Sequence, residues 1–185
     1  MVEIRMLGRG GQGAYMSAEM LAAAFVREGK YAAAFPMFGG ERRGAPVNVF
    51  VRFDDKPIRL HSQIYLPDCC VLTDPLLALT PEATRGLKPG GVVVMNQARV
   101  PEQKPHENTA VLAVVDATGI AIQETGRPIT NTVMLGALIQ ATGWVKLESI
   151  LESFKSNFSD DLLQRNIRCA KRGMEETRVV RFGGK

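Results

Sequence analysis

The stretch of sequence that decides the fold is Val-Glu-Ile-Arg-Met-Leu-Gly-Arg-Gly-Gly-Gln-Gly, residues 2–13. Its first half, residues 2–7, is typical of a β-strand, and its second half is a turn that only a glycine-rich sequence makes easily. From Gln12 to about Glu28, apolar side chains recur every three to four residues, and the pattern stops at Gly29. The N-terminal region is therefore predicted to be a strand, a glycine turn and a helix.

Three short apolar runs farther along the chain are typical of parallel strands that are covered on both faces. They are residues 69–73, 91–95 and 110–115. Helices are predicted at 74–88, where two prolines interrupt the pattern, and at 116–124. This alternation predicts an α/β fold: a mainly parallel, Rossmann-like sheet with helices on both faces.

The C-terminal third is predicted to be helical. Residues 131–142 are apolar nearly all round and should form a buried helix, and residues 147–158 carry an amphipathic stripe. A last helix is expected to start after Ser159, which can cap it. No linker or internal repeat divides the chain, so residues 1–178 are interpreted as one domain, followed by a basic tail at 179–185.

Composition limits the possible functions. The chain has 185 residues, 45% of them apolar, which is enough for one hydrophobic core. The net charge of +4 is spread along the chain, so small anions are expected as ligands rather than nucleic acid. No apolar run approaches the roughly 18 residues of a membrane span and no secretory signal is recognisable, so we expect no membrane association and a cytoplasmic location.

The cysteines bear on redox chemistry. Cys69, Cys70 and Cys169 include no C-x-x-C pair, and three thiols cannot supply the four ligands of a standard iron–sulfur cluster. We therefore expect no metal site in this chain, and an electron carrier would belong to another chain. His61 and His106 are accompanied by no zinc or triad pattern, so we predict no catalytic residue.

The glycine turn is the first candidate binding site. Such a turn exposes backbone N–H groups at the positive end of a helix and can hold a phosphate or carboxylate. The alternative is that its glycines only permit a tight turn and close packing. Residues 32–36 lack the acidic residue that would hold a ribose, which argues against NAD. The candidate anion-binding residues are Gly8, Arg9, Gly10, Gly11, Gln12 and Gly13.

A charged loop at residues 38–46 is the second candidate. Its adjacent Arg42 and Arg43 can grip a phosphate or a carboxylate of a partner, although a solvated surface loop is the simpler interpretation. After the loop, residues 47–53 are predicted to form a strand, and residues 58–60 to return antiparallel as a β-hairpin.

Asn131, which opens the predicted buried helix, is the last candidate. It either caps that helix or faces a binding interface, and the sequence leaves both interpretations open.

Several of these segments occur together, in the same order, in one known family. They are residues 8–13, 35–36, 38–39, 41–47, 58–65 and 131–137. On the basis of these segments, the chain resembles, over nearly its whole length, the gamma subunits of 2-oxoacid:ferredoxin oxidoreductases. The resemblance is strongest to the pyruvate and branched-chain 2-oxoacid branches. Tyr15 and Gly40 depart from residues that are common in the family, which leaves the specificity within the family open.

The resemblance implies one part of a larger enzyme. Members of this family decarboxylate a 2-oxoacid on thiamine diphosphate, reduce ferredoxin through [4Fe–4S] clusters and pass the acyl group to coenzyme A. Thiamine diphosphate and Mg²⁺ would belong to alpha and beta subunits, and the clusters mostly to a delta subunit. The resemblance thus implies a subunit without a redox cofactor, inactive alone, whose glycine turn, Arg42, Arg43 and Asn131 lie near coenzyme A or a partner subunit.

Two alternatives remain open at this point. The chain could be a stand-alone module that binds a nucleotide or coenzyme A, in which case it would bind its ligand in isolation. It could also belong to an aryl-2-oxoacid oxidoreductase, because that branch shares the same loop pattern.

Overall fold

A computed structural model describes residues 1–37 and 44–183. Within these ranges the strands are β1 (Val2–Arg9), β2 (Tyr31–Pro36), β3 (Pro46–Asp54), β4 (Cys69–Leu72), β5 (Gly91–Asn96), β6 (Thr109–Val115) and β7 (Arg178–Arg181). The helices are α1 (Ala14–Arg27), α2 (Ala117–Thr125), α3 (Asn131–Thr142), α4 (Leu147–Phe154) and α5 (Asp160–Glu175). None of the helices in the described ranges has both the length and the apolar character needed to cross a membrane.

All of these strands join one sheet, in the order β2-β3-β1-β4-β5-β6-β7. Its centre is parallel: β1 pairs with β4, β4 with β5, and β5 with β6. The pairs at the margins, β2 with β3, β3 with β1 and β6 with β7, are antiparallel. The predicted α/β fold with a parallel centre is confirmed, and the three apolar runs are its central strands.

The two faces of the sheet are covered differently. Side chains alternate between faces along a strand, so Met6, Val71 and Val94 pack into the large core beneath the helices. Their neighbours Leu72 and Met95 face the opposite side and pack into a smaller core. The second face is covered by two 3₁₀ helices, Leu77–Leu79 and Pro81–Thr84, where the sequence predicts one longer helix. The cover on that side is therefore thinner than the α-helical layer.

The predicted β-hairpin between residues 47–53 and 58–60 is not formed. Residues 58–60 form no strand, and β3 pairs with β2 and β1 instead. Both edges of β3 are thus already paired, which leaves no edge for residues 58–60. The segment is held instead by Arg52, whose Nη1 donates to the carbonyls of Leu60 at 3.1 Å and Ser62 at 2.7 Å. A side chain of β3, rather than its backbone, thus holds the segment that follows.

The C-terminal predictions need two corrections. Residues 179–181, expected to begin a basic tail, belong instead to β7, which pairs with the outer edge of β6. Ser159 occupies the N-cap position of α5 but makes no side-chain capping hydrogen bond. Asp160 and Asp161 in the first turn of α5 supply the favourable negative charge at this helix end.

Helices α3 and α5 cross at a very short distance, and two glycines permit it. A Cβ atom on Gly136 would collide with the carbonyl oxygen of Ala170 and lie 2.7 Å from the backbone N of Met174. A Cβ atom on Gly173 would collide with the carbonyl oxygen of Val133. The backbones of α3 and α5 are therefore in direct contact, and α3 is buried on nearly all sides.

Candidate functional site

The glycine turn between β1 and α1 requires glycine at three positions. Gly11 and Gly13 have φ angles of +90° and +75°, a region that residues with a Cβ atom rarely adopt. A Cβ atom on Gly13 would also lie 2.7 Å from Nδ2 of Asn131, and one on Gly8 would collide with the side chain of Thr73. The turn is therefore packed against the end of β4 and the start of α3.

The N-terminus of α1 is open. Its N-cap is Gly13, with no side-chain capping bond and no acidic residue in the first turn. Within the described residues, the N–H groups of Gly11, Gly13 and Ala14 have no hydrogen-bond acceptor, whereas that of Gly10 donates to the carbonyl of Ala45 at 2.9 Å. Unpaired N–H groups at the positive end of a helix attract an anion. This geometry favours the anion-binding interpretation of the turn.

Arg9 is occupied by a neighbouring carboxylate. Its Nε donates to Oδ2 of Asp74 at 2.9 Å, and its Nη1 donates to the carbonyl of Gly44 at 3.2 Å. Gln12 joins the same group: its Nε2 donates to Oδ2 of Asp74 at 3.3 Å, and its Oε1 accepts from the N–H of Arg9 at 3.0 Å. The charge of Arg9 is thus paired inside the protein, and Arg9 and Gln12 fix the shape of the turn.

Asn131 does not cap α3, because the N-cap position belongs to Thr130. The Asn131 side chain is buried, with only 2% of the residue exposed. Its Oδ1 accepts from the N–H of Thr132, but its Nδ2 finds only Sδ of Met16, at 4.0 Å. Sulfur is a weak acceptor, and an amide donor that is buried without a good partner is costly. An amide donor is therefore held beside the glycine turn with most of its hydrogen-bonding capacity unused.

Two adjoining cavities open beside this donor. The first has a volume of about 500 Å³ and a mainly apolar lining that includes Met16, Phe158 and Leu162. The second, of about 690 Å³, lies at the carboxyl ends of the central strands. In open α/β sheets this edge is the usual place for ligands. The two cavities share Gly11, Arg127 and Ile129, and Asn131 and Gly13 line the first.

Arg127 is a candidate that the sequence analysis missed. It is exposed, lines both cavities, and forms no ion pair with a carboxylate of residues 1–37 or 44–183. It follows Gly126, which ends α2 with a φ angle of +74°, and precedes Pro128. A glycine, an arginine and a proline just before the buried helix are the local signal that could have indicated it. Arg127 brings to the cleft the positive charge that was expected from Arg9.

Arg42 and Arg43 lie outside the described residues. The described residues that follow them return to the glycine turn, since the N–H of Gly44 donates to the carbonyl of Gly10 at 3.1 Å. The predicted role of this arginine pair therefore stays a prediction.

The described residues offer few ligands for a metal. No three His, Cys, Asp or Glu side chains among them come close enough together to hold a metal ion. The three thiols are buried, and burial raises the pKa of Cys70 to about 11 even though Arg5 lies beside it. This donor set does not fit an iron–sulfur cluster, whose ligands are thiolates.

Asp74 makes the stability of the fold dependent on pH in the acidic range. Burial raises the pKa of its carboxyl, but hydrogen bonds from the N–H of Leu77, from Arg9 and from Gln12 outweigh burial and lower it below the ordinary value of 3.8. A carboxylate with a lowered pKa stabilises the fold above its unfolded-state pKa, and this contribution is lost as the pH falls through the folded-state pKa.

We therefore expect Asp74→Asn to lower the free energy of unfolding by about 2 kcal/mol at pH 7, the usual contribution of a charge-assisted hydrogen bond. The difference from the wild type should shrink as the pH drops below 3.8. Urea unfolding at pH 7, 5 and 3.5 measures it. Asp55→Asn, at an exposed carboxylate, is the control and should change stability by less than about 1 kcal/mol. A difference that is the same at all three pH values would contradict the prediction.

The fold and the cleft together define the class of this protein: an open α/β protein with a cleft at the carboxyl ends of its parallel strands, where ligands usually bind in such folds. Comparison with known proteins gives the family. Residues 3–176 match the family model described as pyruvate ferredoxin/flavodoxin oxidoreductase, and the chain belongs to this family.

Individual relatives agree with this assignment. The chain is 52% identical to the "Pyruvate/ketoisovalerate oxidoreductases common subunit gamma" of Thermococcus kodakarensis, over 97% of this chain and 98% of that one. It is 44% identical to the gamma subunit of an NADH-dependent phenylglyoxylate dehydrogenase of Aromatoleum evansii, over 97% and 95%. The crystal structure of pyruvate oxidoreductase subunit PorC from Thermotoga maritima superposes with a TM-score of 0.84 at 38% identity, covering 96% and 97%. The family resemblance predicted from the sequence is confirmed.

Proposed function

We propose that this chain is the gamma subunit of a multi-subunit, thiamine diphosphate-dependent 2-oxoacid:ferredoxin oxidoreductase, with pyruvate as its first substrate. The overall reaction converts a 2-oxoacid, coenzyme A and oxidised ferredoxin into an acyl-CoA, CO₂ and reduced ferredoxin. Family membership supports this, as does similarity over nearly the full length of chains that are themselves named gamma subunits. The subunit would act within a complex and be inactive alone.

The proposal assigns the redox chemistry to other chains. Thiamine diphosphate, which stabilises the carbanion formed on decarboxylation, and Mg²⁺ would be held by alpha and beta subunits, and the [4Fe–4S] clusters by a delta subunit that passes electrons to ferredoxin. The donor set of the described residues, with buried thiols and no cluster of metal ligands, supports this division. The complex would work in the cytoplasm, where the thiols stay reduced.

The part proposed for this chain is to bind coenzyme A at the glycine turn. The observation that carries it is the buried Nδ2 of Asn131, which lacks a strong acceptor and lies beside the open N-terminus of α1. A phosphate there would accept from this amide and from the N–H groups of Gly11 and Gly13. Arg127 would add a charge-assisted hydrogen bond. Arg42 and Arg43 remain proposed as further contacts, to coenzyme A or to the alpha subunit.

Replacing Arg127 tests this site. In the assembled complex, we expect Arg127→Ala to raise the KM for coenzyme A about tenfold, since a charge-assisted hydrogen bond contributes about 1.5–3 kcal/mol. The KM for the 2-oxoacid should not change. Steady-state kinetics with coenzyme A and the 2-oxoacid varied in turn, each at a saturating concentration of the other, gives both values. Arg168→Ala is the matched control, because Arg168 is an exposed arginine of α5 paired with Glu124. An unchanged KM for coenzyme A would remove Arg127 from the site.

A stand-alone binding module is the alternative, and the isolated chain separates the two. Titration calorimetry of the full chain with coenzyme A should give weak or undetectable binding if partner subunits complete the site. Tight binding by the isolated chain would favour the module. Comparing pyruvate, ketoisovalerate and phenylglyoxylate as substrates of the complex would separate the branches of the family.

A further inference from the structure

The carboxylate of Asp74 lies directly after β4 and uses both of its oxygens. Oδ2 accepts from Arg9 and Gln12 of the glycine turn. Oδ1 accepts from the N–H groups of Leu76 at 3.0 Å and Leu77 at 2.9 Å, where the first 3₁₀ helix begins. Only 8% of the Asp74 side chain is exposed. One buried carboxylate therefore joins the glycine turn to the segment that follows β4.

The position of Asp74 is itself fixed by the sheet. The N–H of the preceding Thr73 donates to the carbonyl of Leu7 at 2.9 Å, which continues the pairing of β4 with β1. Arg9 extends the connection to the carbonyl of Gly44, in the described part of the charged loop. The turn thus takes its shape from a rigid strand end rather than from its own residues alone.

A carboxylate in this place is unexpected, because the adjoining cleft is otherwise suited to an anion. Asp74 lines the second cavity, next to Gly11 and Arg127. Its negative charge alone would repel a phosphate, but the guanidinium of Arg9 neutralises it at 2.9 Å. Because Arg9 is paired with Asp74, its charge is not free to bind a ligand in the cleft. The same ion pair fixes the shape of the glycine turn.

We propose that Asp74 is a positioning residue for the anion site: by holding Arg9 and Gln12, it keeps the N–H groups of Gly11 and Gly13 in the geometry that accepts a phosphate. The inference rests on the proposed binding of coenzyme A at this turn. It makes a prediction of opposite sign to simple electrostatics. Removing the charge of Asp74 would improve anion binding if only charge mattered, and would weaken it if the geometry of the turn matters more.

Asp74→Asn in the assembled complex distinguishes these cases. The Asn side chain keeps an acceptor for the N–H groups of Leu76 and Leu77 but presents a donor to Arg9 and Gln12. We expect the KM for coenzyme A to rise about fivefold, with kcat at saturating coenzyme A changed far less. Asp74→Glu, which keeps the charge, should recover part of the loss. Glu124→Gln, at an ion-paired carboxylate of α2, is the control and should leave the KM at the wild-type value.

Further variants separate the possible failures. If Asp74 acts through Arg9, adding Arg9→Gln to Asp74→Asn should raise the KM no further than the larger single effect. A KM that stays the same or falls in Asp74→Asn overturns the inference, provided that Arg127→Ala still raises it. If Arg127→Ala and Gly13→Ala both leave the KM for coenzyme A unchanged, the proposed binding site itself is wrong. Circular dichroism of each full-length variant checks that it folds; if Asp74→Asn does not, Arg9→Gln alone decides, because it breaks the same contact from the other side, and an unchanged KM for coenzyme A there overturns the inference.

Discussion

Gly136→Ala is expected to lower the free energy of unfolding by about 3 kcal/mol, at the upper end of the cost of overpacking a core. The added methyl group would collide with the carbonyl of Ala170, so α3 and α5 would have to move apart. Because α3 is buried against the sheet as well, no direction of movement is free of cost. Gly173→Ala should be similar, since its methyl group would collide with the backbone of α3 at Val133.

Thermal unfolding of the full chain measures this effect. For a chain of this size, 3 kcal/mol corresponds to a fall in Tm of about 6–12 °C. Gly183→Ala is the matched control, because a Cβ atom there meets nothing within 4 Å and its φ angle is not in the left-handed region. Equal melting temperatures for Gly136→Ala and Gly183→Ala would show that the two helices do not meet as closely as described.

Arg52→Met is expected to have an effect of similar size, by a different cause. Arg52 is only 2% exposed, and its Nε pairs with Glu3 at 2.9 Å. Its Nη1 also satisfies the carbonyls of Leu60 and Ser62. Methionine fills a similar volume but leaves these acceptors without a donor, and breaking a buried ion pair from one side costs about 3–5 kcal/mol. Lys88 remains 3.4 Å from Glu3, so we expect about 3 kcal/mol.

The loss of stability should be accompanied by release of residues 57–66, because the hydrogen bonds from Arg52 to Leu60 and Ser62 hold this segment. Urea unfolding gives the free energy, and limited proteolysis followed by mass spectrometry shows whether cleavage moves into this segment. Arg59→Met is the control, since Arg59 is exposed on the same segment. Loss of stability without new cleavage at 57–66 would contradict the proposed role of Arg52 in holding it.

The features that could be predicted from sequence are those set by local pattern. The apolar runs became central strands, and the helix expected at residues 131–142 is α3. The predictions of secondary structure are wrong where distant parts of the chain, or single prolines, override the local preference for a strand or a helix. Residues 58–60 have apolar side chains at alternate positions, yet both edges of β3 are already paired, with β1 and β2, so no partner is left for them. The region 74–88 has helical composition, but Pro75 and Pro81 reduce it to two 3₁₀ helices.

The candidate site shows the same division. The glycine turn was recognisable because few sequences permit left-handed residues at Gly11 and Gly13. The sequence did not show which hydrogen-bond donors of the turn stay free, because that depends on residues far along the chain. Asp74 neutralises Arg9 across 65 positions, and Asn131 reaches the turn from the start of α3. A charge in a glycine turn therefore predicts an anion site less well than the identity of the groups that surround it.

The strand β7 has a consequence for synthesis of the protein. The outer edge of β6 gains its partner only when residues 178–181 have been made, well after the rest of the sheet. Until then the nascent chain exposes unpaired backbone groups along an apolar strand, a template on which other chains can add. A chain that ends between α5 and β7 would thus keep nearly all of the fold but leave the edge of β6 open, so it should aggregate more readily than the full chain.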